Sequence, residues 1–153
     1  YSITLNLCFD TVVRKCSDRK ETWINANLSR TYSQLNKSGH SHSIEVWREA
    51  KLVGGLFGVA MGAAFFAESM FSAEDNGSKV AMVALMGRLL YGNFSLLDVQ
   101  FISDHLSRMG AKEIPRNKYE VFLNSAIKKK RNFYKLPTHS SLVYMMQLNN
   151  QNL

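Results

Sequence analysis

Asp98 and Gln100 stand two residues apart in the segment Leu96-Leu97-Asp98-Val99-Gln100. On an extended strand their side chains share a face, with Cα atoms roughly 6.5–7 Å apart. A carboxylate beside an amide offers a proton acceptor next to a group that both donates and accepts. On an apolar central strand such a pair is costly unless satisfied. It is therefore either a functional site or a strand end where Asp98 caps or forms an ion pair. Glu68 is the second candidate, ending a long apolar run beside the pocket that run would border. A lone buried carboxylate needs a cation or donors. Arg48 or Lys79 would supply them structurally, and a bound ligand would supply them functionally.

These side chains depend on the elements that carry them. Leu52 to Ala67 runs for sixteen residues without a charge and holds four glycines. A membrane-spanning helix needs about 20 apolar residues, so the run falls short. Gly54-x-x-x-Gly58 and Gly58-x-x-x-Gly62 nevertheless have the spacing of helices packed closely in lipid. Read with a period of two, Val53, Phe57, Val59 and Met61 share one face with Gly55. Leu52, Gly54, Leu56, Gly58 and Ala60 share the other. The first face can fill a core. The second is nearly bare, so a ligand can approach its backbone. Gly62-Ala63-Ala64 turns the chain into a second strand, Phe65–Met70. The expectation is a buried hairpin rather than a span.

Upstream, Tyr1–Leu7 reads as a strand, followed by a helix to Cys16. Asn25 or Asn27 caps a helix through Lys37, with Leu28, Tyr32 and Leu35 on one stripe. Ser38-Gly39 closes it. Ser43–Arg48 is a strand, and Glu49-Ala50-Lys51 turns it into the hairpin. Asn76-Gly77-Ser78 opens a helix to Tyr91 that is apolar nearly all round, either plain core or a pocket wall. Ser95–Gln100 forms a strand, Ser103–Arg108 a helix ended by Gly110, and Lys112–Ile114 a short strand. Pro115 starts a helix to Ile127, and Ser141–Met146 is a final strand. This order predicts an α/β domain with a mixed sheet.

At 153 residues and 46% hydrophobic content the chain suits one domain with a proper core. It starts at Tyr1, already strand-like, which predicts further chain upstream, and no signal peptide is present. Cys8 and Cys16 are too few for a disulfide framework, and about 12 Å of helix would separate them. They read as small buried residues of a reducing compartment. His40 and His42 lack a nearby third ligand, which favours a structural role and predicts no metal. The net charge of +7 gathers in Lys128-Lys129-Lys130-Arg131, with Phe133 and Tyr134 beyond, and in Arg14, Lys15, Arg19 and Lys20. Such clusters are a solvated surface or the footprint of an anionic partner such as nucleic acid. No serine–histidine–acid order and no P-loop stands out. Asp75–Lys79 could hold an anion at a helix start, but it lacks the Arg/Gln-x-x-Gly-x-Gly/Ala loop with which acetyltransferases grip coenzyme A.

Several blocks are specific in combination. Gly39-His40-Ser41-His42-Ser43-Ile44-Glu45-Val46-Trp47 leads into Leu52-Val53-Gly54-Gly55-Leu56-Phe57-Gly58-Val59-Ala60. Glu68-Ser69-Met70-Phe71-Ser72, Asn76-x-Ser78-Lys79, Leu97-Asp98-x-Gln100 and Gly110-Ala111-x-Glu113-Ile114-Pro115-Arg116 follow. With Thr22-Trp23-Ile24, they resemble the leucyl/phenylalanyl-tRNA–protein transferases, bacterial enzymes of the N-degron pathway. The resemblance covers Tyr1 to Leu123; the last thirty residues match poorly.

The resemblance implies an acetyltransferase-like (GNAT-related) fold, a mixed central sheet flanked by helices, that takes aminoacyl-tRNA in place of acetyl coenzyme A. It implies a cytoplasmic, monomeric enzyme without a cofactor, moving Leu, Phe or Met to proteins with N-terminal Lys or Arg and so marking them for degradation. The family's smaller N-terminal domain is absent from the sequence. By resemblance Asp98 and Gln100 are the catalytic pair. Gln100 holds the amine, while Asp98 polarises it or helps take the proton. Leu56, Phe65, Ala67, Leu85 and Leu89 correspond to the side-chain pocket, and Glu68 to a binder of a positive group. Trp23 corresponds to an aromatic that stacks on the terminal adenine. Lys128, Lys129, Lys130 and Arg131 would hold tRNA phosphates. The rival readings are a small-molecule N-acetyltransferase, a non-catalytic tRNA-binding domain and a peptidoglycan-type aminoacyl transferase.

Overall fold

The computed structural model describes residues 1–137, 140, 144, 145, 147 and 148. The uncharged run lies in a five-stranded sheet made of β1 (Ser2–Leu5), β2 (Ser41–Arg48), β3 (Lys51–Met61), β4 (Ala64–Ser72) and β5 (Leu96–Asp98). The strands are hydrogen-bonded in that order. β1 to β4 run antiparallel, and β5 joins β4 in parallel, so the sheet is mixed, as expected. The helices are α1 (Phe9–Ser17), α2 (Ala26–Lys37), α3 (Gly77–Tyr91), α4 (Asp104–Arg108) and α5 (Arg116–Ile127). Among the described residues no helix is long and apolar enough to cross a membrane.

Local sequence accounts for most of these elements. Phe9, Val12, Val13 and Cys16 recur at helical spacing along α1 and are all buried. Asn25 Oδ1 accepts the Leu28 N–H at 2.9 Å and caps α2. At the other end Gly39, with φ +78°, lets the His40 N–H reach Leu35 O at 2.8 Å. α1 and α2 cover one face of the sheet, where Phe57 meets Phe9 and Tyr32 edge-on. α3 covers the opposite face, over Ile44, Val46, Leu56 and Phe65.

Several expectations change. A bulge between Val46 and Trp47 pairs Val46 with Gly54 and Trp47 with Leu52, which leaves Val53 unpaired. Val53 consequently joins Leu56 in the α3-side core instead of sharing Phe57's face. The bare face is not open to a ligand at Gly54. A Cβ there would lie 2.4 Å from the Gly77 carbonyl carbon, because the first turn of α3 packs directly on this backbone. At Gly58 a Cβ would meet Phe66 O at 2.2 Å and the Phe65 ring at 2.5 Å. The strand expected at Ser95–Gln100 contracts to Leu96–Asp98 and lies at the sheet edge, not its centre. Lys112–Ile114 forms no strand. Of the expected strand Ser141–Met146, all but Tyr144 and Met145 lies outside the described residues, and those two are helical. Cys8 and Cys16 are both free thiols.

The segment after α5 is pinned by a buried cation. Arg88 on α3 donates to Phe133 O at 2.8 Å, Leu136 O at 2.7 Å and Pro137 O at 3.3 Å. Phe133, which the charges around it would place on the surface, is buried between His42 and Phe65, with ring centroids 4.2 and 5.4 Å away. Burial pushes the His42 imidazole down from its ordinary 6.5 to about 4, and the charges of Arg88 and His40 add to this. Asn6 Nδ2 at 3.2 Å and Tyr134 Oη at 3.4 Å are its polar neighbours. The unfolded chain takes up this proton near pH 6.5 and the folded chain only near pH 4. His42 therefore leaves stability intact above pH 6.5 and removes about 2–3 kcal/mol as pH falls toward 4. Urea midpoints of the wild type and His42→Gln, compared across that range, should show a shallower acid decline in the variant.

Candidate active site

Parallel pairing of β4 with β5 covers only Ala64 with Leu96, Phe65 with Leu97 and Phe66 with Asp98. Beyond it β4 continues to Ser72 while the segment after β5 leaves the sheet, so the two segments splay. Ala67, Glu68, Ser69 and Met70 on one side and Val99, Gln100 and Phe101 on the other then border a cavity of about 250 Å³. Arg19, Trp23, Leu56, Met82 and Leu106 complete its wall. A cleft at the carboxyl end of a parallel pair is where α/β sheets commonly place ligands, since side chains there have no neighbouring strand to fill the gap. A larger cleft of about 990 Å³ adjoins it, sharing Met82, Val99, Gln100, Phe101 and Leu106 and reaching Asp98, Arg116 and Tyr119.

The splay brings five of the expected residues together: Trp23, Leu56, Ala67, Glu68 and Gln100. Asp98 lies next to them on the second cleft. Phe65, Leu85 and Leu89 border neither cavity. They are buried in the core, where Phe65 stacks on Phe133. Lys128, Lys129, Lys130 and Arg131 lie exposed beyond α5, and Arg131 Nε donates to Asn93 O at 2.9 Å. Trp23 is 48% exposed, so its ring is accessible beside Tyr32.

Polar contacts link the carboxylates and the amide. Gln100 Nε2 donates to Glu68 Oε2 at 2.9 Å. The Gln100 backbone N–H donates to Asp98 Oδ1 at 2.7 Å, and the Tyr119 hydroxyl donates to Asp98 Oδ2 at 2.6 Å. Gln100 has φ +66°, a left-handed conformation that costs a non-glycine residue about 1 kcal/mol or more. The Asp98 contact spans two residues as an Asx turn does and holds that conformation. Of the partners expected for Glu68, Arg48 pairs instead with Glu74 at 2.8 Å. Glu68 is met by the Tyr32 hydroxyl, whose pKa is raised by burial and by the Glu68 charge and hydrogen bond. Tyr119 is pushed up to about 12 by burial and by Asp98.

Tyr32 and Tyr119 escaped the sequence reading. Tyr32 was legible only as part of an apolar helix stripe, and nothing at Tyr119 marks its reach to Asp98. Arg19 was seen only as part of a basic cluster. It donates to Ser69 Oγ at 3.1 Å and Met70 O at 2.6 Å on the cavity wall.

The site has proton acceptors and donors but no cysteine nucleophile. Burial raises the Cys8 and Cys16 thiols to about 11 and about 12, and neither borders the cavity. Among the described residues no three His, Cys, Asp or Glu side chains gather as a metal site requires. The arrangement suits a direct displacement in which an amine is held and deprotonated beside an apolar pocket.

Comparison with known proteins agrees with the sheet and identifies the family. A solved structure described as a probable acetyltransferase superposes with a TM-score of 0.58 at 9% identity, covering 75% of this chain and 92% of that one, which shows the fold. The leucyl/phenylalanyl-tRNA protein transferase of Rhizorhabdus wittichii is 50% identical over 131 residues, which are 83% of this chain and 53% of the relative. That of Maricaulis maris is 48% identical over 141 residues, 90% of this chain and 65% of the relative. The chain thus spans between about half and two thirds of the length of these curated relatives. The family profile for leucyl/phenylalanyl-tRNA protein transferase matches residues 1–124, which include both strands of the splay, the Asp98–Gln100 turn and Tyr119. By that match and by these identities, the chain belongs to the leucyl/phenylalanyl-tRNA protein transferase family.

Proposed function

We propose that this chain carries the acyl-transfer site of an enzyme that moves leucine or phenylalanine from aminoacyl-tRNA to the α-amine of a protein with N-terminal Lys or Arg. The observation that carries this reading is the Glu68–Gln100–Asp98 chain of contacts at the mouth of an apolar cavity. The acceptor's neutral α-amine attacks the aminoacyl ester carbonyl. A C–N bond forms, the ester C–O bond breaks, and the amine proton passes to the departing ribose oxygen. The ester is already activated, so positioning and deprotonation supply much of the acceleration.

Leu56, Ala67, Met70, Met82 and Leu106 offer an apolar surface to the donor side chain. Polar donors are disfavoured there because they would lose hydration without a partner. Gln100 directs Nε2 to Glu68, which leaves Oε1 to accept from an amine N–H. Glu68 and Asp98 put negative charge beside the clefts, matching a basic N-terminal residue on the acceptor. Trp23 is exposed for stacking on the terminal adenine. The basic residues Lys128 to Arg131 would meet acceptor-stem phosphates, and the enzyme would act in the cytoplasm to mark proteins for degradation. Against the acetyltransferase alternative, Ser72 Oγ already accepts the Ser78 N–H at 2.8 Å at the start of α3, where a pyrophosphate would need free donors.

The test is transfer of labelled leucine from leucyl-tRNA to peptides that begin with Arg, Lys or Ala. The assay is run on this chain and on a chimera preceded by the N-terminal part of a full-length relative. Labelling of the Arg and Lys peptides but not the Ala peptide is expected. No transfer from either protein, or equal labelling of all three peptides, overturns the reading.

A further inference from the structure

We propose that Tyr119, on α5, is a positioning residue for the site: its hydroxyl holds the Asp98 carboxylate, which in turn holds Gln100 in its left-handed backbone conformation. The inference rests on the reading of Asp98 and Gln100 as the reacting pair. Asp98 is the last residue of a three-residue edge strand, so no neighbouring strand fixes its outer side. Its Oδ1 is committed to the Gln100 N–H, and a carboxylate held by one oxygen can still rotate about its terminal torsion. The Tyr119 contact at 2.6 Å holds the second oxygen and fixes that torsion.

The helix that supplies Tyr119 is itself anchored near its far end. The Ala63 N–H donates to Ala126 O at 2.9 Å, and Ala126 is fully buried. Gly62 packs so closely that a Cβ would lie 2.6 Å from Ile127 O. The hairpin turn between β3 and β4 thus fixes α5, and α5 fixes Asp98. A site built on a helix docked in this way is more precise than one left to a loop. Burial and the Asp98 charge keep the Tyr119 proton in place up to about pH 12, so the group remains a donor throughout the neutral range.

The test substitutes Tyr119→Phe in the intact chain and in the chimera, and measures transfer together with amide hydrogen exchange at Gln100. The variant should lower kcat about tenfold, the worth of one hydrogen bond to a charged group, and leave KM for leucyl-tRNA within about twofold. In an Asp98→Ala background the same substitution should cost nothing further, because the hydroxyl has lost its partner. Gln100 amide exchange should be about tenfold faster in Tyr119→Phe, with the melting temperature nearly unchanged. Unchanged kcat, losses that multiply in the double variant, or unaltered Gln100 protection would each overturn the inference. A wild type that transfers no leucine while Gln100 exchange responds to Tyr119→Phe overturns the transfer reading and retains the Tyr119–Asp98–Gln100 linkage.

Discussion

Asp98→Ala is expected to lower leucine transfer by about 10²–10³-fold while leaving the protein folded. Asp98 makes two contacts that no other side chain replaces. One restrains the Gln100 backbone at φ +66°, and the other engages Tyr119. Without the carboxylate, Gln100 loses the local bond that favours its left-handed conformation and relaxes toward ordinary backbone angles. Its amide then leaves Glu68 and the position from which it would meet the amine. The loss should appear in kcat rather than in KM for leucyl-tRNA, because the apolar cavity wall proposed to hold the donor, with Leu56, Met70, Met82 and Leu106, remains. Asp98→Asn should lose less, since an asparagine oxygen still accepts the Gln100 N–H. Single-turnover transfer to an Arg-ended peptide, with circular dichroism as the folding control, decides the matter. Full activity in Asp98→Ala would remove the residue from the proposed mechanism.

Gly54→Ala is expected to cost about 3 kcal/mol or more of stability, an unusual penalty for one methyl group. The added Cβ would lie 2.4–2.6 Å from Gly77 C, Cα and O. All three are backbone atoms of the first turn of α3, so no side chain can swing aside. Relief requires the helix to move away from β3, loosening Ala81, Met82 and Leu85 in the core beneath it. Gly39→Ala is the informative control. Gly39 has a positive φ, +78°, which Gly54 lacks, but open space surrounds its Cβ position, and about 1 kcal/mol is expected there. Urea unfolding of both variants separates the cost of contact from the cost of conformation. Similar losses at the two positions would contradict this account. Met82 lines the cavity, so Gly54→Ala should also weaken transfer in whatever fraction stays folded.

Much of this protein was legible in its sequence because the signals are short-range. The Asn25 cap, the Gly39 stop, the stripe on α1 and the turn at Gly62 each act over one or two turns of chain. They fall where residue type places them. The hairpin was readable from the length and charge of Leu52–Ala67, and the Asp98-x-Gln100 and Glu68 motifs marked the candidate site. The tertiary structure decided what those motifs meet. Two residues on a strand were expected to share a face. Instead β5 ends at Asp98, and Gln100 turns back on it through a backbone bond.

The same division explains the corrections. The bare face of β3 looked open because glycine spacing cannot show whether a ligand or the chain's own helix will press against it, and Gly77 does so. Phe133 stood among positive charges, yet it is buried between His42 and Phe65, residues roughly 70 to 90 positions away in the sequence. Tyr32 and Tyr119 looked like ordinary helix residues until folding brought one hydroxyl to Glu68 and the other to Asp98. By itself the sequence determined most of the elements, the family resemblance and the candidates for the reacting side chains, because local propensity and motif spacing survive in one dimension. Only the tertiary structure decided the splay between β4 and β5, the packing that closes the glycine face and the hydroxyls that hold the carboxylates, because each depends on contacts between segments far apart in the chain.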